Sequence, residues 1–124
     1  MARTRKSPIA EDDRVVIGGL LRDVRRAAGY RSVESASETK GCPASRQTIY
    51  QYERGAMTPS LEQFLELIAF YVLDAPRGAD AKPDADLRAQ GVAAITWAVE
   101  LPAYHMVSAR ALIARMQPSP GGVR

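Results

Sequence analysis

Cysteine and histidine are scarce in this chain of 124 residues, which contains one of each, Cys42 and His105. A single cysteine forms no disulfide within the chain, so we expect a reducing compartment, the cytoplasm. One histidine and one cysteine supply too few ligands for a metal site and too few partners for a catalytic Cys/His or Ser/His/Asp set. The sequence therefore predicts no metal, no cofactor and no enzymatic activity, with Cys42 interpreted as an ordinary turn residue rather than a redox switch.

Long apolar runs are lacking as well. The longest uncharged apolar stretch of the second half, Val92–Val99, is far shorter than the roughly 20 residues of a membrane-spanning helix. The basic start, Met1–Lys6, is followed by the acidic Glu11–Asp13, where a signal peptide would have its apolar segment. We therefore expect no membrane association, and the 46% hydrophobic and 25% charged residues are typical of a globular domain.

Positive charge is concentrated in the first half of the chain. The net charge is +3; residues 1–60 contain 11 Lys and Arg against 7 Asp and Glu, whereas residues 61–124 contain 6 against 7. A basic half joined to a neutral half favours a polyanionic partner for the basic half.

The apolar residues recur at helical spacing, and no segment shows strand alternation, so the sequence predicts an all-α protein. Residues 1–13 lack this periodicity and are interpreted as a flexible basic arm. A first helix is predicted from Arg14 to about Ala28, and a second from the Ser32 cap toward Thr39. A third is predicted over Arg46–Glu53 after the Ser45 cap, and a fourth after Ser60, which stands at capping-box spacing from Gln63.

The second half of the chain divides differently. Residues 74–86 are rich in Ala, Asp, Pro and Gly and are interpreted as an exposed linker. Residues 87–117 are predicted to form a two-helix element, over about Leu87–Leu101 and about Pro102–Met116, and residues 118–124 a disordered tail. Residues 14–73 then form the first domain.

A short helix, a turn and a second short helix with a polar outer face are typical of a helix-turn-helix DNA reader. Ile49 and Tyr52 lie three apart and would bury one side of the third helix. On the other side, an arginine such as Arg46 can bond guanine O6 and N7, and glutamines such as Gln47 and Gln51 can bond adenine N6 and N7.

One stretch carries a more specific pattern. Ser45-x-x-Thr48-Ile49-x-x-Tyr52-Glu53-x-Gly55, followed by Pro59-Ser60-Leu61 and preceded by Leu21-Arg22-Asp23-Val24-Arg25, Gly29 and Ala36, resembles the Cro and phage-repressor (Xre-like) helix-turn-helix family. The resemblance covers about residues 17–73. It implies a lambda-repressor-like helical bundle, here with a C-terminal two-helix extension.

The resemblance also implies roles for individual residues. The base-reading positions fall on Arg46, Gln47 and Gln51, and the phosphate-contacting positions on Ser32, Ser45, Arg54 and Thr58. We add Tyr50 as a base-reading candidate, and Thr48 and Lys40, the latter on the longer turn, as phosphate-contacting candidates. Glu53 is implied to be structural and to bond Arg25. Two departures stand out: Glu38–Ala44 is about three residues longer than a typical turn of this kind, and Ser35 occupies a position that usually holds leucine.

Two further surfaces are predicted. The arm residues Arg3, Arg5 and Lys6 either wrap DNA or form a solvated terminus. The C-terminal helices carry large apolar side chains, which would fold back on the first domain, pair with a second copy or bind another protein. These candidate dimer or partner residues are Ile95, Trp97, Val99, Tyr104, Met106, Leu112 and Ile113.

We therefore expect a sequence-specific, DNA-binding transcriptional regulator, a repressor that binds a (pseudo)palindromic operator as a homodimer. The alternative is an antitoxin-like or adaptor protein whose C-terminal helices bind a different protein and whose DNA binding serves autoregulation. RNA is a weaker expectation because the few aromatic residues form no stacking platform.

Overall fold

The computed structural model describes residues 11–104, 112–113 and 115–116. All regular structure in this part of the chain is helical, as the sequence predicts. The helices are α1 (Glu11–Ala27), α2 (Val33–Ser37), α3 (Arg46–Glu53), α4 (Leu61–Ala69) and α5 (Asp84–Val99). A π-helical turn, Phe70–Asp74, continues α4, and Pro102–Tyr104 are also helical.

Helix α1 lies at the centre of the fold and packs against α3, α4 and α5. Ile17, Leu21 and Val24 recur at spacings of four and three, and all three are buried, as expected for the apolar stripe of an amphipathic helix. The other helices complete the core with residues that share this burial: Ile49 and Tyr52 of α3, Phe64, Leu67 and Ile68 of α4, and Leu87, Ala94 and Ala98 of α5.

Residues 11–13 already belong to helix α1, so the expectation that the arm extends to residue 13 is wrong. Apolar periodicity gave no signal for a helix at these acidic residues. Asp13 is buried, and its Oδ2 accepts a hydrogen bond of 3.2 Å from the backbone N–H of Ala103. Because Ala103 lies ninety residues from Asp13, the sequence around Asp13 does not predict this contact.

Most residues of the segment 75–83 are exposed, as predicted for the linker 74–86, but the segment is docked on the domain rather than free. The backbone N–H groups of Gly78 and Lys82 donate to the carbonyls of Ala28 and Ala27, each at 2.8 Å. The Tyr30 hydroxyl donates to the Pro76 carbonyl. Because the last carbonyls of α1 have no partner within the helix, this segment satisfies them and lies against the end of α1.

Helix α5 folds back onto the first domain, one of the three arrangements open from the sequence. Its inner face presents Leu87, Gly91, Ala94 and Ala98, all buried. The three small residues, Gly91, Ala94 and Ala98, let the helix approach α1 and α4 closely. The helix runs over Asp84–Val99, which is shifted by about one turn from the predicted start at Leu87. Residues 14–73 and α5 thus share one core.

Helix α1 and the end of α3 come unusually close at Gly18. A methyl group at Gly18 would meet the carbonyl oxygens of Tyr52 and, at 2.8 Å, Glu53. These are backbone atoms, which cannot rotate away as a flexible side chain can. Glycine at position 18 therefore sets how closely α3 docks on α1.

We expect Gly18→Ala to lower the free energy of unfolding by about 1–3 kcal/mol, the usual effect of overpacking a tight contact. The matched control is Gly19→Ala, where the added methyl group would have the Arg22 side chain 3.6 Å away as its nearest neighbour. Removing a helical glycine there should stabilise the protein by about 0.5–1 kcal/mol. Urea denaturation followed by circular dichroism measures both; equal shifts for the two variants would contradict the close approach.

Candidate nucleic-acid interface

Helix α3 has the bounds predicted from the sequence, Arg46–Glu53, and the predicted cap. The Thr48 backbone N–H donates to Ser45 Oγ at 3.2 Å, and the Ser45 hydroxyl in turn donates to Thr48 Oγ1 at 3.0 Å. Ile49 and Tyr52 are buried on the inner side of the helix. These contacts fix the rotation of α3 and therefore determine which residues face outward.

The outward residues of α3 form one surface, which we name the α3 face. It is a shallow depression of about 390 Å³. Its lining residues are Glu34, Arg46, Gln47, Tyr50, Gln51 and Arg54. The structure therefore brings together all four residues predicted to read bases, together with one of the predicted phosphate contacts.

Glu34, which sequence reasoning missed, belongs to α2 and reaches this face through Tyr50. The Tyr50 hydroxyl donates a hydrogen bond of 2.7 Å to Glu34 Oε2. This bond raises the pKa of Tyr50 and lowers the pKa of Glu34, because it stabilises the carboxylate and the neutral phenol. An acidic residue in the first turn of a helix is ordinary, so its position in the sequence did not single it out.

A buried ion pair anchors the carboxyl end of α3 to α1. Arg25 Nε and Nη2 donate to the two carboxylate oxygens of Glu53 at 2.8 and 2.9 Å, and the two side chains are only 4% and 8% exposed. Burial would lower the pKa of Arg25, but the hydrogen bonds and negative charge of Glu53 outweigh it and raise that pKa. The pairing of Glu53 with Arg25 implied by the family resemblance is confirmed.

The predicted phosphate contacts fall into two groups. Ser32, Lys40, Ser45 and Arg54 are exposed and Thr48 is half-buried; Ser32 and Ser45 also cap α2 and α3. Thr58 is different, because its Oγ1 is buried and has no hydrogen-bond partner among the described residues. The Thr58 hydroxyl is therefore not accessible to a phosphate in this structure, although the residue as a whole is half-buried.

The long turn between α2 and α3 is an ordered part of the structure. Eight residues separate Ser37 from Arg46, and Gly41 has a φ of 90°, a left-handed conformation that glycine adopts readily. Gln63 Nε2 of α4 donates to the Pro43 carbonyl at 3.4 Å. Cys42 is half-buried in this turn, and burial raises the pKa of its thiol.

The candidate dimer or partner residues are only partly available at the surface. Trp97 is 62% exposed, Val99, Leu112 and Ile113 are also exposed, and Ile95 is half-buried. Tyr104 does not belong to this surface: it is buried against Phe64, and its hydroxyl donates to the Pro59 carbonyl at 2.8 Å. The sequence pattern does not distinguish a tyrosine buried in the core from one exposed on a partner surface. Met106, like Arg3, Arg5 and Lys6, lies outside the described residues.

No known protein family, curated protein or solved structure matches this chain. Within the described ranges, no three His, Cys, Asp or Glu side chains are grouped as metal ligands would be. No helix in the same ranges has the length and apolar character needed to cross a membrane.

We expect Glu53→Gln to lower the free energy of unfolding by about 3 kcal/mol, because it leaves the Arg25 charge buried without a counterion. The matched control is Asp80→Asn, which removes the carboxylate from the exposed Arg31–Asp80 pair and should change stability little. Thermal and urea unfolding of the two variants check the comparison. Equal effects would show that burial of the Arg25–Glu53 pair does not determine its contribution.

Proposed function

We propose that this protein is a sequence-specific, DNA-binding transcriptional regulator, a repressor that acts as a homodimer. The observation that carries the proposal is the α3 face. A capped helix, held by buried residues on one side, presents two arginines, two glutamines and a tyrosine together on the other. This combination of a rigid support and planar hydrogen-bonding groups is what base reading in the major groove requires.

The chemistry of the α3 face favours recognition of sequence over attraction of charge alone. Arg46 can donate two hydrogen bonds to guanine, and Gln47 and Gln51 can each both donate to and accept from adenine. Both glutamines are neutral, so they add no general attraction for phosphate. In this arrangement α2, the long turn and α3 correspond to the helix-turn-helix of a lambda-repressor-like bundle, and the α3 residues supply the base contacts.

Phosphate contacts would come from the rim of the same surface. Arg54 lies at the carboxyl end of α3, Lys40 lies on the turn, and Ser32 and Ser45 cap α2 and α3. Exposed cations and capping hydroxyls near free helical amides are typical phosphate ligands. They provide affinity that decreases with salt, whereas the base contacts provide the preference for one sequence.

The proposal of a homodimer rests on large apolar side chains that are not buried in the core. Trp97, Val99, Leu112 and Ile113 remain exposed near the carboxyl end of the described chain. Large exposed apolar side chains of this kind are typical of interaction sites. Symmetric pairing would place two α3 faces against two half-sites of a palindromic operator.

The same exposed tryptophan favours a second candidate function. A different protein could cover Trp97 and its neighbours, in which case the chain is an adaptor or antitoxin-like protein that binds DNA to regulate its own synthesis. The two functions differ in the state of the purified chain alone, which is a dimer in the first and a monomer in the second.

We expect the wild-type protein to enrich one consensus from a random pool of DNA duplexes. Arg46→Ala should then weaken binding to that consensus by about 1–3 kcal/mol and abolish discrimination at one base pair. The control, Arg88→Ala, removes the same charge from an exposed position on α5 and should leave the base preferences unchanged. Titrations at two salt concentrations check this; a uniform loss across all sequences would make Arg46 a phosphate contact.

We expect Trp97→Glu to convert the homodimer to a monomer, because a carboxylate would have to be desolvated in the apolar contact. The control is Val15→Glu on α1, where the native side chain is 60% exposed and the same charge should leave the dimer intact. Sedimentation velocity of the purified proteins distinguishes the two states. A monomeric wild-type protein would contradict self-association and favour the adaptor.

A further inference from the structure

Glu34 is the one acidic residue among the described residues that line the α3 face. It lies on α2, so the face is built from two helices rather than from α3 alone. A carboxylate is repelled by phosphate groups, and its presence on a DNA-binding surface would weaken general affinity. A favourable direct contact of Glu34 with DNA must therefore be with a base.

The Tyr50 hydroxyl holds this carboxylate in a defined orientation. It donates to Glu34 Oε2 at 2.7 Å, whereas no described residue donates to Oε1, the second carboxylate oxygen. The pKa of Glu34 is lowered, first by this hydrogen bond and also by the nearby charge of Arg46. The group is therefore ionised at neutral pH and accepts hydrogen bonds without donating any.

The chemistry of the major groove limits what such an oxygen can bind. Cytosine N4 and adenine N6 carry exocyclic amines that donate hydrogen bonds, whereas guanine O6 and thymine O4 are acceptors. An ionised carboxylate would pair with the amines and would be left unpaired and repelled by the acceptors. Cytosine is the better match, because the adjacent adenine N7 is a second acceptor that a carboxylate cannot satisfy.

We propose that Glu34 is a base-reading residue that selects cytosine at one position of the operator, and that Tyr50 is its positioning residue. This inference rests on the proposed DNA-binding function. It changes the role predicted for Tyr50, whose hydroxyl is already committed to the Glu34 carboxylate. Specificity would then come from both helices, with Glu34 reading an amine while Arg46, Gln47 and Gln51 read neighbouring base pairs.

The experiment measures binding of the full chain to its enriched consensus duplex and to duplexes with each base pair replaced in turn. For the wild-type protein, replacing one cytosine should weaken binding about tenfold, the size expected of a good base contact. Glu34→Gln should lose this preference for cytosine and gain one for adenine, which an amide can pair with at N6 and N7. Discrimination at every other position should be unchanged.

Two further variants separate base reading from other effects. Glu66→Gln makes the same change of charge at an exposed position on α4, so it should alter affinity for all duplexes equally and leave the base preferences as they are. Tyr50→Phe removes the hydroxyl that orients Glu34, and should reduce discrimination several-fold at the same base pair and at no other. A loss of folding would instead lower the binding-competent fraction for every duplex equally, and circular dichroism detects it.

The outcomes are distinguishable. If the wild-type protein enriches a consensus but Glu34→Gln has the same base preferences at every position, Glu34 reads no base and the inference is wrong while the proposed function stands. The inference is also wrong if Tyr50→Phe changes a different base pair from Glu34→Gln. If the wild-type protein enriches no sequence, the proposed function fails and the inference fails with it.

Discussion

The hydrogen-bonded pair of Arg25 and Glu53 determines where the second and third helices can lie. The guanidinium bonds both oxygens of the Glu53 carboxylate, and its Nη1 also donates to the Tyr30 carbonyl at 2.7 Å. One side chain of α1 thus holds the end of α3 and the segment that leads into α2. A buried charge left without either partner would be strongly unfavourable, so the three segments are constrained to dock together.

The constraint matters because α2 and α3 contribute little apolar surface themselves. Helix α2 has five residues and buries only Val33 and Ala36, and so short a helix is unstable in isolation. The close contact at Gly18 brings the backbone of α1 against the carbonyl groups that end α3. Together, the ion pair and the glycine contact make the α3 face a rigid extension of α1.

The sequence predictions were accurate where the interactions that determine the structure lie within a few residues of one another, and inaccurate where they join residues far apart in the sequence. The bounds of α3 depend on the Ser45 cap, the Ile49–Tyr52 spacing and the glycine at position 55, all within a few residues, and they were predicted correctly. The docking of residues 75–83 depends on partners far along the chain, at the end of α1. Composition alone made that segment resemble a linker, although the end of α1 supplies its hydrogen-bond partners.

The candidate site shows the same division. A side chain's presence on the outer side of α3 follows from helical spacing, so Arg46, Gln47 and Gln51 were identified from the sequence. Two other assignments depend on tertiary packing, which residue spacing does not predict. The Thr58 hydroxyl is buried, and Tyr104 lies in the core.

The net charge of the chain is a poor measure of how strongly the α3 face would attract a polyanion. The excess of basic residues in the first half includes Arg25, which is buried and neutralised by Glu53 and therefore contributes little to the external field. On the α3 face, the two arginines are accompanied by the Glu34 carboxylate and two neutral amides. For attraction to phosphate alone, a carboxylate on this surface is unfavourable. The composition of the α3 face therefore fits the proposed reading of bases better than attraction to phosphate alone.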